Sequence, residues 1–243
     1  MNTRIILIAL IILGFSFGCK KKKETEETPA VLGCTNPESI NYNPAATQND
    51  GSCQIADKFL PLKIGNNWQL LDTVQVPIPG FELTLPVTAT LNIDKDTVMD
   101  GKTYFMMTQS FEVEGSPIPV GNVLPATRYG YRTDRTGKIF RRVPGDAAEH
   151  VYVNYPLAVG DTWEDTGSAP TTYTVTGTQF LYVPAVGKSV TAWKIQAVSG
   201  TTGGQPIELY FSKDIGLVRQ EIAFTIMGFN IGLDAFLQTI SLQ

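Results

Sequence analysis

FELTLPVTATLNI, residues 81–93, decides the fold. Phe81, Leu83, Leu85, Val87, Ala89, Leu91 and Ile93 alternate with Glu82, Thr84, Pro86, Thr88, Thr90 and Asn92. Successive side chains of a strand point to opposite faces, so period two over this length predicts a strand with one buried face. Pro86 falls on the polar side. Proline lacks the N–H that a ladder needs, which places an edge or a bulge there.

Shorter stretches of the same kind follow at residues 103–113, 128–134, 138–143, 151–155, 172–183, 191–198, 207–213 and 217–229. Gly, Asp and Asn punctuate them. Asp100-Gly101 reads as a hairpin turn, because both residues tolerate positive φ. No stretch has the i, i+3, i+4, i+7 spacing of an amphipathic helix. The fold expected is all-β: an antiparallel sandwich or barrel-like sheet of about ten strands over residues 59–243.

Two motifs occur twice in the same order. PLKIGNNW (61–68) and PLAVGDTW (156–163) share P-L-x-[IV]-G-x-x-W, and YRTDRTGKI (131–139) and YFSKDIGLV (210–218) share Y-x5-G-x-[IV]. They imply either two related β modules or two similar strand entries in one domain. In P-L-x-x-G-x-x-W, Pro sets the approach, Gly permits the reversal and Trp anchors the new strand. Trp68 and Trp163 are also the candidates for an aromatic ligand platform.

The N-terminus carries an export signal. Arg4 precedes the uncharged run at residues 5–17, which has signal-peptide length and is short for a bilayer span. FSFGC, ending at Cys19, resembles the lipobox of bacterial lipoproteins, which implies lipidation of Cys19 and removal of residues 1–18. Ordinary secretion, with Cys19 in or just after the removed peptide, is the alternative. Residues 19–33, in which KKKKETEE follows Cys19, read as a disordered tether. A basic-then-acidic stretch after the lipidated Cys resembles lipoproteins of Bacteroidetes-type bacteria. That implies attachment to the cell envelope at the outer membrane, facing periplasm or surface.

The chain has three cysteines. If Cys19 carries lipid, Cys34 and Cys53 remain as an even pair, and an oxidising compartment favours a disulfide between them. The segment that they bound, GCTNPESINYNPAATQNDGSC (33–53), resembles modules of the type GCTDPxAxNYNPxAxxDDGSC found beside other domains in secreted Bacteroidetes-type proteins. Residues 34–53 are therefore expected to form a disulfide-closed Asn/Pro-rich module. Asp50 is the weak metal candidate within it, since Asn36 and Asn49 stand where that pattern often has Asp. The region from about 59 to 221 resembles a broad group of secreted bacterial β-rich proteins, a likeness that implies no particular activity.

Most chemistries are poorly supplied. The net charge is −4, so nothing points to nucleic acid. G-x-S-x-G, G-x-G-x-x-G and H-E-x-x-H are absent, and GKS at residues 187–189 lacks the upstream Gly of a P-loop, where Tyr182 stands. Asp96, Val98 and Asp100 ahead of Gly101 lack a ligand for a Ca²⁺ loop. His150 reads as a surface residue on a turn entering a strand. Glu164 and Asp165 are adjacent, so on a strand they diverge to opposite faces. No catalytic residue and no cofactor are expected. The function expected is a non-enzymatic, lipid-anchored envelope protein that meets the membrane through its lipid and binds a protein, glycan or lipid. The apolar end, residues 221–243, either closes the core or lines a lipid pocket. The alternative is a hydrolase of cell-surface polymers using a carboxylate pair.

Overall fold

The computed structural model of the chain describes residues 29–54, 58–78, 81–115, 125–167, 170–200, 205–226 and 229–243. The signal segment, Cys19 and most of the tether lie outside these residues.

The N-terminal module is held by its disulfide and by its polar side chains. Cys34 and Cys53 are bonded, and β1 (Leu32–Gly33) pairs in parallel with β2 (Gln48–Asn49). The Oδ1 atoms of Asn36, Asn43, Asn49 and Asp50 each accept the backbone N–H two residues on, from Glu38, Ala45, Gly51 and Ser52. Asn41 ties the middle of the loop to its C-terminal end, donating to Ser52 O and accepting from Gln54 N–H. These turns do the work of a core. They also explain why Asn can stand where the related pattern has Asp, since either side chain offers the acceptor oxygen. The module starts earlier than Cys34. The carbonyl of Val31 accepts N–H groups from Thr47 and Gln48, so the end of the expected tether belongs to the folded unit.

The β domain is one antiparallel sheet of twelve strands. Its first half is β3 (Asn67–Ile78), β4 (Phe81–Met99), β5 (Lys102–Val113), β6 (Thr127–Thr133), β7 (Ile139–Arg142) and β8 (His150–Val153). Its second half is β9 (Thr162–Asp165), β10 (Thr171–Val183), β11 (Lys188–Ser199), β12 (Pro206–Ser212), β13 (Gly216–Ile226) and β14 (Phe229–Ser241), with a 3-10 turn at Pro184–Val186. Each half is an up-and-down meander. They join where β3 pairs with β14, and β8 and β9 end the strand order on either side.

The predicted strand is β4. Leu85, Val87, Ala89, Leu91 and Ile93 are buried, while Thr84 and Pro86 are exposed. Pro86 pairs with Thr73 of β3, but β4–β5 pairing ends at Val87, so the missing N–H falls where no ladder bond is required. Asp100 and Gly101 (φ 50° and 73°) form the two-residue turn between Met99 and Lys102.

The sequence echo marks equivalent points in the two halves. Gly65 N–H donates to Ile93 O, and Asn66 O accepts from Ile93 N–H. One half later, Gly160 N–H donates to Val175 O and Asp161 O accepts from Val175 N–H. Trp68 and Trp163 then enter β3 and β9, the first strand of each half. The second motif spans the β6–β7 and β12–β13 hairpins, the fourth and fifth strands of each half. Trp68 crosses between halves, its indole N–H donating to Ile215 O at 2.6 Å. Gly216 permits that approach: a Cβ there would lie 2.8 Å from Leu60 Cδ1, at a φ of 91°.

The sheet is nearly closed, and its second junction differs from the first. Among the described residues β8 and β9 lie side by side without ladder bonds. Side chains hold them. Asp165 of β9, 2% exposed, accepts from Arg141 Nη2 of β7 at 2.5 Å and lies 3.3 Å from His150 Nδ1 of β8. Arg141 lies over the rings of Tyr129 and Tyr152 at 4.9 and 5.3 Å. Tyr152 meets Tyr173 edge-on, and Tyr173 stacks on Trp163. His150 is thus a seam residue with a side chain 13% exposed, not the surface residue expected. The tertiary approach of β8 to β9, invisible in the local sequence, buries it.

Removing one member of a buried ion pair leaves the other charge without compensation. Asp165→Ala is expected to lower unfolding free energy by about 3–5 kcal/mol in urea titrations. Arg128→Ala, which breaks a half-exposed pair with Asp94, is expected to cost less than about 1 kcal/mol. Equal losses would show that the seam pair is not a special constraint. In the module, thiol titration of the denatured, unreduced mature chain should find neither Cys34 nor Cys53 reactive.

Candidate functional site

The barrel interior is packed. Trp68, Leu91, Met107, Tyr131, Tyr152 and Phe211 fill its middle around a cavity of about 30 Å³. Gln109 Nε2 donates to Gln220 Oε1 across that cavity at 3.1 Å. The space suits about one water molecule, far below the size of an acyl chain. Leu233, Ala235 and Leu237, from the apolar closing segment, are core residues. These residues of the segment therefore pack into the core, and among the described residues the interior leaves no room for a lipid pocket.

The larger concavity lies on the sheet, where the halves join. β3 pairs with β14 from Asn67 to Leu71, opposite Ser241 to Phe236. Beyond that point β3 stays paired with β4 out to Ile78, and β14 stays paired with β13 out to Phe229. The two hairpins thus part like a fork. At its base the Asp72 carboxylate accepts the Asp234 N–H at 2.5 Å. A side chain takes the donor at the point where the ladder stops.

The opening is a groove of about 650 Å³. Its polar lining includes Asp72, Glu208, Glu221 and Asp234, with Thr73 and Gln75. Ile222, Ala223 and Leu233 supply apolar surface. Among the described residues no Lys or Arg lines it. The carboxylates are held in place by neighbours on the same face of the sheet. Arg219 makes a two-point contact with Asp234 at 2.7 Å and also reaches Glu221, while its guanidinium lies over Tyr210 and Phe236. Glu221 accepts from the Tyr210 hydroxyl, and Glu208 accepts from Gln196. Lys194 stands 3.9 Å from Glu208. Burial, then the bond to Glu221, pushes the Tyr210 phenol above its ordinary range, so it remains a proton donor. The groove therefore presents ordered negative charge beside exposed strand edge.

A second charged cluster sits on β5 and β6. Glu149 accepts from Lys102 at 2.5 Å, from Arg132 Nε at 2.6 Å, and from the Tyr104 hydroxyl. Arg132 stacks on Phe140, 4.1 Å from the ring centroid. Lys102 and Arg132 share this one carboxylate, which ties β5 and β6 to the residue before β8.

The residues singled out in the sequence do not converge. Trp68 is 1% exposed and bonded to a backbone carbonyl, so it has no face to offer a ligand. Trp163 is half-buried against Tyr173, and its buried indole N–H has no hydrogen-bond partner. Both act as strand anchors. The aromatics that face solvent are instead Phe180 and Tyr182 of β10, 74% and 59% exposed. Their i, i+2 spacing on a strand was the available signal. Asp50 is exposed, and its carboxylate is engaged by the hydroxyl and N–H of Ser52, which hold it below its ordinary range. Among the described residues no group of three or more His, Cys, Asp or Glu side chains could hold a metal. Glu164 and Asp165 diverge as expected, the first exposed and the second buried.

Glu149 gives a pH signature. Hydrogen bonds from Arg132, then Lys102 and Tyr104, outweigh burial and depress its carboxyl from 4.5 to about 2. Its contribution is therefore complete above pH 4.5 and is lost as pH falls towards 2. Glu149→Gln is expected to lower stability by about 1–3 kcal/mol at neutral pH. The difference from the parent should shrink through this window in urea titrations run at a series of pH values. A constant difference would mean that the carboxylate charge is not the source.

No family model matches the chain, and no curated protein matches it. Two solved structures are similar in arrangement. One is a Bacteroides fragilis protein assigned as exported, with a YmcC-like fold. It is 12% identical with a TM-score of 0.44, the match covering 76% of this chain and 100% of that one. The other is a Parabacteroides distasonis protein assigned as a lipoprotein. It is 12% identical with a TM-score of 0.41, the match covering 77% of this chain and 100% of that one.

Proposed function

We propose that the chain is a non-enzymatic, lipid-anchored protein of the cell envelope whose β domain binds a partner in the groove between the β3–β4 and β13–β14 hairpins. The groove is the observation that carries this reading. Its volume falls within the range of ligand sites, while the barrel interior holds about one water. Arg219 and Tyr210 fix Asp234 and Glu221 as a standing charge pattern, which suits recognition more than the exchange of protons between a free acid and base. The anchor reading rests on the lipobox-like FSFGC and on Cys19. The Cys34–Cys53 disulfide is in keeping with an exported chain. Outer-membrane attachment follows from the basic-then-acidic tether.

Two measurements test it. Cys19→Ala is expected to move the protein from the membrane fraction to the soluble fraction and to abolish incorporation of labelled palmitate. Retention in the membrane with no label would overturn the anchor. Amide shift mapping of the mature chain against peptidoglycan fragments, detergent-solubilised phospholipid and short peptides should place perturbations at Asp72–Gln75 and Gly232–Asp234. Perturbations centred on Met107 and Gln109 would instead place the ligand inside the barrel.

A further inference from the structure

The fork does more than make a concavity. Asp72, Thr73 and Gln75 of β3 and Gly232, Leu233 and Asp234 of β14 face it from strands whose other sides are fully laddered to β4 and β13. Among the described residues no strand pairs with either facing edge beyond Leu71 and Phe236. An unpaired edge carries a row of backbone donors and acceptors and is a template for another strand. Natural sheets commonly blunt such edges with charged side chains, Pro or a covering segment. Here the charges are acids, and Pro77 removes one donor near the far end of β3, so the edge is guarded against strands that lack positive charge.

We infer that the groove accepts an extended, lysine- or arginine-bearing polypeptide segment, which adds to the sheet as a strand at the fork. This rests on the groove being the binding site and names the class of its partner. Three features select that class. The edges supply main-chain hydrogen bonds, which an extended peptide satisfies in register and a compact ligand does not. Carboxylates on β3, β12, β13 and β14 outnumber the cations that touch them, Arg219 and Lys194, so the groove keeps net negative charge to complement a cationic chain. Ile222, Ala223 and Leu233 lie among the acids, so a strand alternating cationic and apolar residues meets both kinds of surface. Gly232 leaves the floor open: a Cβ built there meets no atom within 4 Å.

The test uses the mature full-length chain and three synthetic peptides, followed by calorimetry and amide shift mapping. The first alternates Lys with Val, the second alternates Glu with Val, and the third is the Lys peptide N-methylated on alternate residues. The Lys peptide is expected to bind, more weakly as salt rises, with shifts at residues 72–75 and 232–234. The Glu and N-methylated peptides should each bind at least about tenfold more weakly. Asp72→Asn, which keeps the acceptor for the Asp234 N–H, and Glu221→Gln should each weaken the Lys peptide about two- to fivefold. Gly232→Leu should block it while leaving the urea midpoint unchanged. If the N-methylated peptide binds as well as the parent, strand addition is overturned and a purely electrostatic groove remains. If no peptide binds but another ligand perturbs residues 72–75 and 232–234, the partner class is overturned and the groove stands. If nothing perturbs those residues, both readings fall.

Discussion

The domain depends on how twelve strands become one nearly closed body, and Asp165 sits at the junction that no ladder closes. Eleven neighbouring strand pairs in the large sheet are held by ladders of backbone hydrogen bonds. The remaining junction, β8 beside β9, has four residues on each side and is held by side chains. A carboxylate 2% exposed is costly to bury alone. Arg141 and His150 compensate it, and Tyr129 and Tyr152 cover the guanidinium in turn. The ion pair therefore fixes which strand ends meet, a use of buried charge in which register matters more than net stability.

The two junctions between the halves are opposites. At one, two four-residue strands lie side by side without a ladder, and at the other the strands outrun their ladder. The same motif opens each half and is used differently. Gly65 and Gly160 make the same hydrogen bonds, and Trp68 and Trp163 start corresponding strands. Yet Trp68 enters a hairpin reaching Ile78, while Trp163 enters a strand ending at Asp165. The indoles differ as well. Trp68 bonds to Ile215 of the opposite half, whereas among the described residues the buried N–H of Trp163 has no partner. The two hairpins at the β3–β14 junction separate beyond Leu71, and the separation is the groove.

Features with a local cause were legible in the sequence. The alternation of β4, the Asp100-Gly101 turn and the cysteine pair each depend on residues close in the chain or on simple parity. The repeat was legible because its marker residues perform the same local task twice. The runs read from the sequence include β7 and β8. Those missed are β9, only four residues long, and β3 and β14, where Asp72 and the irregularity between Leu237 and Thr239 interrupt the alternation. The groove was not legible at all. Asp72 and Asp234 meet at its base from positions 162 residues apart, and neither neighbourhood carries a motif. His150 looked like a surface residue for the same reason, since its partner belongs to a strand on the far side of an intervening loop.

By itself the sequence determined an all-β chain, its turn positions, its doubled motif and an Asn-rich module with two cysteines available to close it. These follow from dihedral preference, side-chain alternation and the short reach of Asx turns, all of which act over a few residues. Only the tertiary structure decided that Trp68 is a core anchor, that Asp165 pins the second seam, that the interior is full, and that the acids of β3, β12, β13 and β14 share one opening. Those outcomes depend on strand order and on where each ladder ends. Both are set by packing between segments far apart in the chain, where burial and charge compensation act on groups that no local pattern brings together.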